Sequence, residues 1–472
     1  MKIKLLGNTS KKYIEGQINI CAAACKLSRM PGKVFDAIAA TKDYEKAVEF
    51  VKRVVAMGHT STIDHDYMVF ALSEVSPLVE QTIIAERFSS FTIKSRREVD
   101  FSNVGFYIPN FHGEDGKVLE NNKKLQQEYK KHMKSIFNLY SKFVDGGINK
   151  EDSRFLLPYS YNAEIMMGLD ATALVRMITR LTKGRLSQIS ELRELGEELY
   201  KIAKTRAPYI DALLDKQEIP THNEVEKILD EVVIDKTYNL VENPVLLSYT
   251  NNVDEVIFTN AISRVYSKSY IEAKNIYDEK IKGNKNLKNS LMKAIASDYD
   301  REDLRQVNFR FQLSIPFAIL THYTRHRKPA LSIPEFVPIV DLTKYVTPPS
   351  IKKNSELNKL YDEIFTRNIE VYNKFKNMGI RREDLVYFTL SGHTVNVIIN
   401  YDGETFRMFS RVRACSKAQW YIRENTVKMI NEIKKISEYY SCYIGPDCIT
   451  KKTCPEGKES CGRIDVILKK QK

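Results

Sequence analysis

A mixed α+β chain built from two similar halves is predicted by three observations. Apolar stretches of alternating character end in Phe70-Ala71-Leu72-Ser73 and in Phe311-Gln312-Leu313-Ser314, the period-two pattern of half-buried strands. Long charged stretches, Asn121–Phe143 and Ser355–Asn377, read as helices with one packed face and one wet face. Laying the chain on itself at a shift of about 240 residues brings these patterns into register, the mark of an internal repeat.

The repeat runs through each element in turn. Ile3-Lys4-Leu5-Leu6 with Thr9 falls on Val245-Leu246-Leu247 with Thr250, an opening strand in each half. The Phe-x-Leu-Ser strand follows, and a helix-like stretch then leads into an arginine segment: Arg87 in the first half, Arg325-His326-Arg327 in the second. Near the end of each half Glu191-Leu192-Arg193-Glu194 matches Tyr421-Ile422-Arg423-Glu424, with short gaps absorbing the change of offset. Asn243-Pro244 punctuates the chain where the opening pattern restarts. The expected domains are therefore residues 1–238 and 239–440, each a small, mostly antiparallel sheet with packed helices, and a Cys-rich tail over 441–472. No low-complexity linker separates the halves, which are expected to pack together.

With 472 residues, 43% of them hydrophobic, the chain can bury two cores. Its formal net charge of +13 favours anionic partners such as nucleotides, folates or nucleic acid, although a solvated lysine-rich surface gives the same sum. No apolar run is long enough for a membrane span, so a soluble, cytoplasmic protein is expected and a membrane partner is not. Cys21 and Cys25, one helical turn apart among alanines, read as small core residues.

The chemistry-bearing residues divide unevenly between the halves. The first carries Gly58-His59, then Arg87, Ser95 and Arg97, with seven residues between Arg87 and Ser95, and later Arg154-Phe155-Leu156-Leu157-Pro158. The second carries an intact Arg325-His326-Arg327, and Arg413 six residues before Gln419 in Ala418-Gln419-Trp420-Tyr421-Ile422-Arg423. Together these resemble the flavin-dependent thymidylate synthases, whose signature is Arg-His-Arg, seven residues, Ser, and an Arg two beyond. Ala85 and Glu86 replace the first Arg and the His in the first half; Glu335 and Val337 replace the Ser and second Arg in the second. Val386 through Leu390 stand for the Arg-x-x-Leu-Pro segment without its arginine.

The resemblance implies two tandem thymidylate synthase-complementing-protein-like domains. In that family the active site lies between subunits of a homotetramer, one subunit giving the Arg-His-Arg segment and late arginine, another the Ser, its following Arg and the Leu-Pro arginine. Here the second half keeps the first set and the first half keeps the second. One composite site per chain, in a homodimer that mimics the tetramer, is the expectation. The implied reaction is reductive methylation of dUMP to dTMP, with FAD as cofactor and methylenetetrahydrofolate and NADPH as co-substrates. The uracil ring becomes enolate-like in that reaction, so a fixed cation at its oxygens lowers the barrier, and Arg413 is assigned there. Arg87, Ser95, Arg97 and Arg154 are assigned to the nucleotide, where a planar guanidinium suits a phosphate. Arg325, His326 and Arg327 are assigned to the flavin and its pyrophosphate, and His59 to the flavin ring. Cys415 is read as structural, because no cysteine attacks the ring in this family.

Asp170 and Thr172, and Asp402 and Glu404, stand where the family has Asn and Arg for the adenylate portion of the flavin, and acidic residues there repel a pyrophosphate. Two other readings stay open: methylation or hydroxymethylation of a different pyrimidine nucleotide, and a degenerate paralogue that binds nucleotide or nucleic acid without turnover. Random decay would not keep complementary halves, which opposes the latter. In the tail, Cys442, Cys448, Cys454 and Cys461 lie on a turn-rich segment that could hold zinc, form reversible disulfides or stay unligated.

Overall fold

The computed structural model describes residues 1–9, 17–28, 30–214, 219, 224–334 and 341–469. The chain divides into two compact units: Met1–Thr237 with Phe336–His393, and Tyr238–Glu335 with Thr394–Lys472. Each unit holds one four-stranded antiparallel sheet with helices around it, so the α+β class and the small antiparallel sheets hold.

In the first unit the strands are β1 (Lys2–Asn8), β2 (Tyr67–Val75), β3 (Ser89–Ile93) and β4 (Ala163–Asp170), in the order β1-β2-β4-β3. Alternate residues of β2 (Met68, Phe70, Leu72) and of β4 (Ala163, Ile165, Met167, Leu169) are buried, giving one apolar face. Burying each such large side chain contributes about 1.5–3 kcal/mol. The helix Pro77–Ala85 starts at the end of β2, where the Ser76 hydroxyl accepts from the Leu78 amide and a proline occupies the first turn.

The second unit repeats this plan with β5 (Val245–Tyr249), β6 (Asn308–Pro316), β7 (Ala330–Ser332) and β8 (Thr394–Asp402), ordered β5-β6-β8-β7. Phe309, Phe311, Leu313 and Ile315 of β6 face Val395, Val397, Ile399 and Tyr401 of β8 across the same kind of buried face. The threonines matched in the sequence occupy equivalent places. Thr9 bonds Tyr67 at both backbone N–H and hydroxyl, and Thr250 bonds Asn308 in the same two ways.

The two long charged helices, Asn122–Asp145 and Ser355–Asn377, come from different repeats, and both belong to the first unit. Their apolar stripes close one aromatic core, with Phe111 against Phe375 at 5.1 Å and Tyr129 against Phe388 at 5.3 Å. Inside it, buried His132 meets the Asn368 amide oxygen at 2.9 Å, and the His112 Nδ1 and Asp384 carboxylate are 2.8 Å apart. Burial pulls the His132 pKa below the usual imidazole value, so its ring stays neutral. The Leu-Pro segment and its counterpart also lie side by side: Tyr159 donates its N–H to Thr389 O, and Ser391 to Leu157 O. A segment of the second repeat thus completes the core of the first unit.

Candidate functional site

Two clusters of predicted residues form, one in each unit. In the second unit the helix Phe317–Thr324 ends at Arg325, and the helix Gly403–Arg413 ends at Arg413. Arg413 donates its Nε–H to His326 Nε2 at 3.0 Å. Nε2 is therefore the acceptor and Nδ1 carries the proton. Burial, then Arg413, then Arg325 lower the His326 pKa to about 4, so the imidazole is neutral at physiological pH. Phe409 meets the ring edge-on at 5.0 Å and holds its plane. Arg325 and Arg327 are exposed to either side. Arg413 and Arg325 thus flank one neutral hydrogen-bonding ring, with the exposed Arg327 next in the chain, an arrangement that can hold an anionic group and orient an aromatic one.

Gln419, in the segment 418–423 that follows Arg413, is buried and caps the helix Trp420–Lys434, accepting from the amides of Tyr421 and Ile422. Tyr421 donates its hydroxyl to Ser314 O. This segment sets the exit from the Arg413 turn, and Arg423 bonds Ser416 O within that turn.

In the first unit Ser95, Arg97 and Arg154 come together just beyond β3. The Arg97 amide donates to the Ser95 hydroxyl at 3.3 Å, and its guanidinium pairs with Glu151 at 2.6 Å. Arg154 is 2% exposed in the turn Arg154–Leu156. Burial, then the neighbouring Arg96, pull its pKa down to about 9, which still leaves it charged at neutral pH, and Arg97 adds to the repulsion. Arg96 itself is buried, paired with Glu80 at 2.8 Å and bonded to the Tyr161 hydroxyl. Arg96, Arg97 and Arg154 thus gather around one desolvated guanidinium, a place an anion would stabilise.

Arg87 and His59 lie apart from this constellation on exposed positions, Arg87 just after the helix Pro77–Ala85 and His59 at the start of the turn Thr60–Ile63. Glu86, in the triplet's histidine position, is buried and paired with Arg176 at 2.9 Å. The first repeat therefore keeps a buried carboxylate, paired with the part-exposed Arg176, where the second keeps the neutral His326. Glu335 and Val337 lie outside the described residues.

The acidic residues expected to repel a pyrophosphate have other roles. Asp170 and Asp402 are helix N-caps, accepting from the Ala173 and Thr405 amides, each at 2.7 Å. Glu404 is buried and held at both oxygens by Arg407, at 2.6 and 2.9 Å, which neutralises its charge internally. Thr172 donates to Thr60 O. With these charges engaged, the exposed arginines beside neutral His326 fit an anionic cofactor.

Arg96, Glu80, Glu151 and Arg176 escaped the sequence reading. Glu80 and Arg96 lie within the region of the motif, but only their burial in the fold shows that they pair. The tail cysteines Cys442 and Cys461 are exposed, Cys448 and Cys454 partly buried, and none of these is in a disulfide. Among the described residues no group of three or more His, Cys, Asp or Glu is gathered to hold a metal, and no helix is long and apolar enough to cross a membrane.

Comparison with known proteins matches residues 11–209 and 245–437 separately to the family described as thymidylate synthase complementing protein. A flavin-dependent thymidylate synthase of Clostridium tetani is 28% identical over 245 residues, covering 48% of this chain and 94% of its own length. That of Geobacter sulfurreducens is 26% identical, covering 44% and 85% respectively. That of Sulfurisphaera tokodaii is 35% identical over 114 residues, covering 24% and 43%. Among solved structures, a UMP/dUMP methylase PolB from Streptomyces cacaoi, bound with 5-Br dUMP, aligns at a TM-score of 0.37 with 17% identity, over 45% of this chain and 93% of that one. Matched twice in tandem over most of its length, the chain belongs to the thymidylate synthase complementing protein family.

Proposed function

We propose that this protein reductively methylates dUMP to dTMP, with FAD as cofactor and methylenetetrahydrofolate and NADPH as co-substrates, and that the residues of the two clusters serve one active site. The observation that carries the proposal is that the second unit retains the pair Arg413–His326 while the first retains the group Ser95–Arg97–Arg154. Each repeat lacks the other's set: Glu86 paired with Arg176 fills the histidine position of the first repeat, and Val386 the Leu-Pro arginine position of the second repeat. Two chains so built would supply the parts of a four-subunit assembly, so a homodimer is proposed.

The roles follow from chemistry. Arg97 and Arg154, with the Ser95 hydroxyl, would take the 5′-phosphate, which relieves the desolvated charge on Arg154 and competes with Glu151 for Arg97. Arg413, its guanidinium plane oriented through Nε by His326, would face the uracil oxygens and stabilise the charge that develops as C5 reacts. Arg325 and Arg327 would hold the pyrophosphate, and neutral His326 would orient the cofactor without adding charge. A flavin bound there supplies the hydride that completes the methyl group. Arg87 would add to the nucleotide side and His59 to the ring, both from exposed positions.

The test has two readouts. Purified protein should show a flavin spectrum with near-stoichiometric FAD, and should release tritium from C5-labelled dUMP when folate and reductant are present. Arg413→Ala should abolish the release and Arg87→Ala reduce it less completely; equal and negligible effects would overturn the assignment. Bound FAD without dUMP turnover would point to another pyrimidine nucleotide, and a colourless protein that rejects FAD to a binding paralogue.

A further inference from the structure

Residues 451–463 have almost no core of their own. All are exposed except Cys454, and their only regular element is the short turn Gly457–Glu459. The backbone nonetheless follows a defined path, with positive φ at Lys452, Gly457 and Gly462. A segment that buries so little apolar surface cannot offset its ordering entropy by packing. Four observations say where it is anchored. Arg411 bonds the buried Asp447 at 2.9 Å, and the Gly445 amide donates to the Ser410 hydroxyl at 3.0 Å. Lys417 bonds Glu459 O, and the turn Asp447–Thr450 packs on the helix Ile464–Lys469. Together these bring the Cys415 turn, Cys448, the stretch holding Cys454, and Cys461 into one neighbourhood. Cys442 is turned elsewhere, exposed, with its thiol donating to Glu438 O at 3.3 Å. Supporting this grouping, burial and then Cys415, Cys454 and Cys461 raise the Cys448 pKa.

We propose that Cys415, Cys448, Cys454 and Cys461 form a structural zinc site that fastens the tail to the end of the Arg413 helix, with Cys442 outside it. The four sulfurs are not already gathered to metal geometry, so side-chain closure accompanies binding, as in small metal-coupled folds. Thiolates are the ligands, so each thiol that joins releases its proton, and occupancy falls in acid. A soft tetrathiolate selects zinc over magnesium or calcium. Cys415 follows Arg413 by two residues, so the ion would also pin the turn that carries this arginine.

The experiment uses the full chain expressed with zinc supplement, with metal content measured by mass spectrometry and free thiols counted after denaturation. The expected result is about one zinc per chain, kept by Cys442→Ser and lost by Cys415→Ser and Cys448→Ser. Zinc-free wild type, zinc lost in Cys442→Ser, or zinc kept in Cys415→Ser would each overturn the proposal, as would a disulfide between any two of the four cysteines. If the serine variants fail to fold, cobalt titration of apo wild type replaces them: strong thiolate-to-cobalt absorption supports the site, and its absence refutes it. None of these readouts depends on methylation activity.

Discussion

Replacing Arg413 with alanine should raise the His326 pKa. In the wild type, protonating His326 would set an imidazolium 3.0 Å from a guanidinium in a site that already disfavours charge, which is why the ring titrates near about 4. Burial is the larger cause and Arg413 the second, so removing the charge alone raises the pKa but recovers less than half of the distance to the ordinary 6.5. Water entering the vacated space acts in the same direction. The linked stability change has a definite sign. Between pH 6.5 and about 4 the unfolded chain holds a proton at this ring that the folded chain refuses, so folding loses stability as pH falls through that window. The loss is on the order of 3 kcal/mol in the wild type and smaller in Arg413→Ala. The assay is a histidine-detected NMR titration, with His326→Gln to assign the resonance. A wild-type ring titrating near 6.5, or one that Arg413→Ala leaves unmoved or lowers, would refute the reasoning.

Three further outcomes follow from contacts. Gly196→Ala should lower stability by about 1–3 kcal/mol in urea unfolding, because its new Cβ would lie 2.6 Å from the Leu181 Cβ and 2.9 Å from the Thr182 Cγ2 where two helices cross. Glu191→Ala should cost about 2–4 kcal/mol by the same measurement, since the buried carboxylate accepts from the Ser76 amide at 2.8 Å and the Tyr387 hydroxyl at 2.9 Å, and both donors would be orphaned. Glu151→Gln should tighten dUMP binding by about 3- to 10-fold in calorimetry, because Arg97 would no longer be shared with a carboxylate; unchanged or weaker binding would remove Arg97 from the phosphate site.

How far the site was legible depends on the range of the interactions that build it. His326 and Arg413 were named from local motifs, and they meet although 87 residues separate them. Ser95, Arg97 and Arg154 were likewise named, but their electrostatic setting was not, because Glu80, Arg96 and Glu151 carry no spacing that announces a buried network. Glu404 looked hostile to an anionic cofactor as a letter in a string; Arg407, one turn along the same helix, cancels it. That pairing obeys helical spacing and could have been read in advance.

Alternating apolar residues and repeated threonines are short-range signals, so the sequence alone determined the two sheets, their opening strands and the α+β class. Which charges are neutralised, where the tail is anchored, and which core receives residues 341–393 are long-range matters. Glu86 needs Arg176, Asp447 needs Arg411, and the Phe111–Tyr129 stripe needs Phe375 and Phe388. Only the tertiary structure decides these, because burial makes each group depend on partners that chain order does not place beside it.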